Sequence, residues 1–334
     1  MTKKPFSKDI LHLENIDEVI DGICEKLRED VYKRFRRYGG VIGISGGIDS
    51  SVTLAIATKA FGSDKLLGIM LPETDSSPES EELARELANK FGVKSIVENI
   101  SGALEGFGCY RRRDEAVASV IPEYNPVTDK MKVVIPEEFV NKNLPPVHYV
   151  SVTFKDGTEK KVRLPMKEYL QIVAASNFKQ RCRANMLYYH AEALNYAVLG
   201  TPNKHEVQQG FFVKYGDGAA DVMPIGNLFK TQVYQIARHL GVPEAIINRT
   251  PTTDTYSAEQ TQEEFFYQMP FDKMDLLWYG WENDYSPEEV APVMEMTPDE
   301  VSKIFKNFAR KQKTTDYLRT PPLHDYNIME GSLV

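Results

Sequence analysis

A chain of 334 residues with 42% apolar and 26% charged side chains has an ordinary globular composition, and is long enough for one large α/β domain with additions or for two average domains. Its 40 Lys and Arg against 48 Asp and Glu leave a net charge of −8, which argues against a broad nucleic-acid-binding face. Cys24, Cys109 and Cys182 lack the spacing of a disulfide frame or zinc site, no apolar run reaches membrane-spanning length, and "MTKKPFSKDI" has no apolar signal core; a cytoplasmic protein with reduced thiols and no membrane partner is expected.

Ile16, Val19, Ile20, Ile23, Leu27 and Val31 recur at helical spacing and predict an amphipathic helix over 16–37. A strand at 41–45, a helix at 50–61, a strand at 66–71, a helix at 79–91 and a strand at 94–100 follow. That alternation predicts an α/β fold with a doubly wound, mainly parallel sheet. The rhythm breaks at 101. Residues 101–165 hold "CYRRRDEAV", the proline-bearing "IPEYNPVTDK", strand-like "KVVIPEEF" and "HYVSVTFKDGTEKKVRL", with Asp156-Gly157 as a hairpin turn. They read as an inserted, strand-rich antiparallel segment. A helix from about 177 to 196, the strand "AVLGT" and a helix at 230–240 restore the pattern, so that 1–100 and 166–280 form the core. Residues 281–334 read as a helical C-terminal extension, with a capping box at Thr297 and Glu300.

Between the first strand and its helix stands "GISGGIDSS", Gly43 to Ser51. It lacks the Gly-Lys-Ser/Thr ending of a Walker A loop and is not a Rossmann G-x-G-x-x-G. Gly46 and Gly47 let successive amides converge on one point, the hydroxyls of Ser45 and Ser50 can bind phosphate oxygens, and Asp49 can hold a divalent cation against them. The competing reading is a plain strand-to-helix turn with Asp49 or Ser50 as N-cap.

"GISGGIDSSVTLAIA" resembles the pyrophosphate loop of the N-type ATP pyrophosphatases, and within them the chain resembles ammonia-dependent NAD synthetase. "NFKQRCRANMLYYHAEALNYAVLGT", "GFFVKYGDGAADVMPIGNLFKTQVYQIARHLGVPE" and "RTPTTD" carry the same resemblance. It implies an adenine nucleotide α-hydrolase-like fold. The implied reaction adenylates the carboxylate of deamido-NAD with loss of pyrophosphate; ammonia then displaces AMP to give NAD. By the same resemblance Gly43, Ile44, Ser45, Gly46, Gly47, Ile48, Asp49, Ser50 and Ser51 cradle ATP, with Thr201, Lys230 and Thr252 as further ATP positions. Asp49 and Glu206 hold Mg²⁺, Asp49 and Lys230 are catalytic, and Arg181, Lys214 and Asp221 hold deamido-NAD. The family's C-terminal "HKR" has no counterpart here, and Lys311 or Lys313 of "ARKQKTTDYLRTPP" stands in its place. A homodimer using the apolar face of helix 16–37 is expected, with free ammonia as donor unless a separate glutaminase docks.

Each residue also has a plainer role open to it. Glu206 suits a solvated loop acid, Lys230 and Arg181 suit helix-surface charges, and Asp217 and Asp221 suit turns. His190, Tyr188 and Tyr189 read as packing residues. "YRRRDE" (Arg111, Arg112, Arg113) suits an anion clamp or a solvated charge run. Two functional alternatives stand beside the main one: a related amide ligase for another carboxylate, such as a uronic acid sugar, and a nucleotide-binding protein without turnover.

Overall fold

The computed structural model describes residues 3–135, 147–252, 256–258, 261, 266–267 and 269–323. The first half of the chain alternates α1 (Ile16–Arg28), β1 (Gly40–Gly43), α2 (Ile48–Phe61), β2 (Leu66–Met70), α3 (Pro78–Lys90) and β3 (Lys94–Val97). Then come α4 (Ser101–Gly106), α5 (Cys109–Val120), β4 (Lys130–Val134), β5 (Tyr149–Thr153), β6 (Glu159–Arg163) and the long α6 (Met166–Leu194). The remainder supplies β7 (Ala197–Leu199), α7 (Lys204–Gln209), α8 (Lys230–His239), α9 (Phe271–Glu282), α10 (Pro287–Met294) and α11 (Pro298–Thr314).

Four strands form a parallel sheet in the order β3-β2-β1-β7. Val41 of β1 pairs with Leu67 of β2 on one side and Val198 of β7 on the other. β2 is buried along its whole length, as a strand covered on both faces must be, which is why "LLGIM" has no polar alternation. On one face α1, α2 and α8 pack through Ile20, Leu27, Val52, Ile56 and Val233. On the other, Val41, Ile69 and Val198 meet Leu187 and Ala191 of α6. The chain leaves β1 toward β2, whereas β7 returns to the opposite side of β1. The loops after β1 and β7 therefore diverge and open a crevice at the carboxyl ends of those strands.

The predicted helix over 16–37 is α-helical only to Arg28 and widens into a π-helical turn at Glu29–Arg34. Its apolar face is not available for a homodimer: Ile20, Cys24, Leu27 and Val31 are sealed in the core against α2. Segment 101–165 does contain a three-stranded antiparallel sheet, β4-β5-β6. Gly157, at φ +84°, turns the hairpin between β5 and β6. The first twenty residues of the segment are helical, however, with Cys109, Arg113, Ala116 and Val117 on the buried side of α5. The charge run "RRRDE" conceals that helical period. α6 begins eleven residues before the predicted start, directly after Pro165, and runs for 29 residues. The C-terminal helices enclose a separate aromatic core around Trp278, Tyr285 and Phe308, and the Thr297–Glu300 capping box is formed. No helix among the described residues is long and apolar enough to cross a membrane.

Candidate active site

The turn between β1 and α2 is shaped by Gly46 at φ +71°. A Cβ there would lie 2.6 Å from the Ser80 carbonyl oxygen, so position 46 excludes side chains on two counts. Gly47 is the N-cap of α2, and no side chain caps the helix. Neither Asp49 nor Ser50 fills that role: Asp49 sits inside the first turn, and the Ser50 and Ser51 hydroxyls donate back to the Gly47 carbonyl at 3.1 and 2.8 Å. The first-turn N–H groups are consequently left open, with the positive end of the helix dipole behind them. Ser51 is fully buried and lines no cavity, whereas Ser45, Gly47, Ile48, Asp49 and Ser50 line one of about 150 Å³.

Asp49 anchors a buried polar constellation. Lys230 Nζ donates to its Oδ2 at 2.5 Å, and Asn203 Nδ2 donates to its Oδ1 at 3.1 Å. Asn203 caps α7 in the same act: its Oδ1 accepts from the amides of His205 and Glu206, and its own amide donates to Glu206 Oε2 at 2.9 Å. One residue thus fixes both carboxylates. Lys230, at the first position of α8, is 0% exposed. Burial opposes its charge, yet the charges of Asp49 and Glu206 outweigh that and hold its pKa up. Burial, and then the charge of Asp49, push Glu206 to about 8, so that carboxyl is poised for more positive charge than Lys230 alone gives.

Beneath this layer His205 Nε2 meets Asp275 Oδ1 at 2.6 Å, and Asp275 Oδ2 accepts from the Thr231 amide at 2.7 Å. The pair ties α7, which carries Glu206, to α8, which carries Lys230. The hydroxyl of Tyr267 is buried with no hydrogen-bond partner among the described residues. Burial raises its pKa first, and the charges of Glu206 and Asp49 raise it further, which places it in the field of the two acids.

A second cavity of about 480 Å³ adjoins the first and shares Ser45, Thr201, Asp217 and Thr252 with it. Its walls are the carboxyl ends of β1 and β2, loop 71–77, the start of α3 and the inner side of α6. It is large enough for a nucleoside. Asp217 caps the turn "KYGDG" by accepting from the Val213 amide at 2.7 Å, as a turn former should. It also faces both cavities, and burial pushes its pKa up to about 6.

Thr201 and Thr252 line both cavities, beside the Gly43–Ser51 loop. The last residues of "RTPTTD", 253–254, lie outside the described residues. Arg181, Lys214 and Asp221 line neither cavity. Arg181 Nε donates to the Lys214 carbonyl at 3.2 Å, while Lys214 Nζ donates to the carbonyls of Tyr317 and Thr320. Asp221 accepts from the Val198 amide at 2.7 Å. Lys311 is partly buried, donates to the Phe266 carbonyl at 3.1 Å and stands over the Phe266 ring, whereas Lys313 is exposed. Sequence reasoning missed Asn203, His205, Tyr267, Asp275 and Arg249. Asn203 had a signal in its N-x-x-E capping spacing, and Arg249, on the smaller cavity, opens "RTPTTD".

The model of the NAD synthase family matches residues 19–119 and 113–322, most of the chain. This chain belongs to the NAD synthase family. Among relatives in the family, it is 47% identical over 311 residues to the NH(3)-dependent NAD(+) synthetase of Mesorhizobium japonicum, a match spanning 93% of this chain and 97% of the relative. It is 45% identical over 320 residues to the protein of that name from Rhizobium meliloti, spanning 95% and 94%. Two solved structures share the family fold. NMN synthetase from Francisella tularensis superposes with TM-score 0.61 at 21% identity, and NH3-dependent NAD synthetase from Campylobacter jejuni with TM-score 0.60 at 18% identity; each match spans 93% of this chain and 99% of the other.

Proposed function

We infer that this chain is a carbon–nitrogen ligase that converts deamido-NAD to NAD with ATP and ammonia. The observation that carries the reading is 47% identity over 93% of the chain to an NH(3)-dependent NAD(+) synthetase. The site is consistent with it. A carboxylate is a poor electrophile, and joining it to AMP provides a good leaving group. The substrate carboxylate oxygen attacks the α-phosphorus of ATP, the α–β phosphoanhydride bond breaks, and pyrophosphate departs. Ammonia nitrogen then attacks the acyl carbon, the bond to AMP breaks, and the surplus proton passes to solvent. In this reading the open amides at the start of α2, with Ser45 and Ser50, hold the phosphates. Lys230 steadies Asp49 and offsets phosphate charge, while Thr201 and Thr252 position ATP beside them.

Two carboxylates, one of them hard to ionise where it stands, together with a Tyr267 hydroxyl that has no partner among the described residues, suit a divalent cation. Asp49 and Glu206 would hold Mg²⁺, which when bound neutralises charge on the pyrophosphate group. No cluster of three or more ligating side chains forms among the described residues, so oxygens of phosphate and water would complete the shell. We assign Arg181, Lys214 and Asp221 to deamido-NAD, with Lys311 or Lys313 at its far end. The protein is expected to be a cytoplasmic homodimer using free ammonia or ammonia from a separate glutaminase.

The test is a product assay with ATP, Mg²⁺, ammonium and deamido-NAD. AMP, pyrophosphate and NAD in equal amounts are expected. ADP would overturn the mechanism. AMP formed only with another carboxylate, such as a uronic acid sugar, would keep the ligase and overturn the substrate. Nucleotide binding without turnover would leave a binding protein only.

A further inference from the structure

Loop 71–77, between β2 and α3, gives Leu71, Pro72, Ser76 and Ser77 to the wall of the larger cavity. Behind it lie four charged side chains withdrawn from solvent: Glu73, Asp75, Arg113 and Lys179 are 0, 8, 6 and 2% exposed. Lys179 Nζ donates to Glu73 Oε1 at 3.0 Å and to Asp75 Oδ2 at 2.5 Å. Arg113 pairs with the same Asp75 oxygen, and its Nε donates to Asp114 at 2.8 Å. The Tyr110 hydroxyl accepts from the Thr74 amide at 3.3 Å and donates to Glu73 Oε2 at 2.8 Å. The loop is also braced internally, by Asp75 N on Glu73 Oε2 and by Glu73 N on Ser76 Oγ.

The origin of the partners is informative. Both acids come from the loop, Lys179 comes from α6, and Tyr110, Arg113 and Asp114 come from α5 in segment 101–165. None of Glu73, Asp75, Tyr110, Arg113 and Lys179 lines either cavity. Desolvating four charges is a costly way to hold a loop, since apolar side chains of similar volume commonly stabilise as well or better. What such a network adds is a single geometry, because each donor and acceptor is satisfied in one arrangement only.

We propose that the Tyr110–Arg113–Lys179 network on Glu73 and Asp75 is a positioning device, through which α5 sets the shape of loop 71–77 and hence the affinity of the larger cavity for the adenosine half of ATP. The inference rests on the reading of the two cavities as the ATP site. It assigns the helical part of segment 101–165 a role in nucleotide binding at a distance. Arg113 is then neither an anion clamp nor a solvated charge, while Arg111, paired with Glu115 on the surface, and Arg112 are the solvated ones.

Tyr110→Phe tests this with little risk to folding, because it removes two hydrogen bonds and no charge. Arg113→Met and Arg113→Lys form a second pair, the lysine retaining the charge. ATP binding is measured by calorimetry, and KM is measured separately for ATP, deamido-NAD and ammonium. Tyr110→Phe is expected to weaken ATP binding and raise its KM by about fivefold, the worth of one or two hydrogen bonds. kcat and the other two KM values should stay within about twofold, with Arg113→Lys recovering part of what Arg113→Met loses. A Tyr110→Phe protein that binds ATP as wild type does, whatever its melting temperature, overturns the inference alone. Wild-type protein that binds no ATP overturns the underlying reading, and the inference with it.

Discussion

At the scale of single residues, the site depends on charges that cannot be removed one at a time. Asp49 is the sole partner that Lys230 meets at hydrogen-bond distance among the described contacts. Asp49→Asn should therefore reduce AMP formation by at least about 100-fold, in line with the loss of a group that organises transition-state charge. The same change should cost on the order of 1–3 kcal/mol in urea unfolding, since a bond between two charges becomes one to a neutral amide. Lys311 offers the opposite case. Burial, helped by the Arg310 charge, pushes its pKa down to about 8, whereas the unfolded chain keeps that proton to about pH 10.4. Between those values the unfolded state binds more protons, so this residue's contribution to stability rises with pH. Lys311→Met should be more stable than wild type at pH 7, and the gap should close by pH 10 in chemical denaturation. Residues of this kind were only partly legible in the sequence. Asp49, Glu206 and Lys230 belong to quotable motifs. His205 and Asp275 stand 70 residues apart, with no spacing rule to join them, and the burial of the Tyr267 hydroxyl without a partner among the described residues is something no string of letters displays.

At the scale of elements, α7 is a six-residue helix whose position rests on its cap. Asn203→Ala should cost about 1 kcal/mol for the lost N-cap. It should also release both Asp49 and Glu206, so turnover should fall by more than that energy alone implies. Asn203→Ser, which keeps a capping oxygen, adds no charge and is too short to reach Asp49, separates the two effects: near-normal melting temperature with low activity is expected, measured by thermal unfolding beside the product assay. The parallel strands were easy to read because strands buried on both faces are short apolar runs bounded by glycine or charge, as at "VIG" and "LLGIM". The helix 109–120 was not, because Arg113 is a charged residue on its buried side. A pattern that equates charge with solvent fails where the partner acids lie on another segment, here Asp75.

At the scale of the whole molecule, the sheet order places the site before any side chain is considered. β1 lies between two parallel neighbours that the chain reaches on opposite sides of it, and the crevice follows from that topology. The alternation of elements made this much legible, but the surface through which copies would meet was not. Helix 16–37 has the amphipathic pattern of an interface and spends it on its own core. A homodimer would need a different surface. Light scattering at micromolar concentration should report twice the chain mass of 37.9 kDa; a single chain mass would overturn the homodimer. The charges gathered behind loop 71–77 also bear on ionic strength. Mobile ions screen exposed charges over about 8 Å in physiological solution, and pairs such as Lys26–Glu29 or Lys303–Asp299 on the surface are open to them. Glu73, Asp75, Arg113 and Lys179 are almost wholly wrapped by protein and are screened far less. In concentrated brine the surface pairs should fade while the nucleotide wall keeps its form, so that ATP affinity declines only as dissolved ions compete for its phosphates.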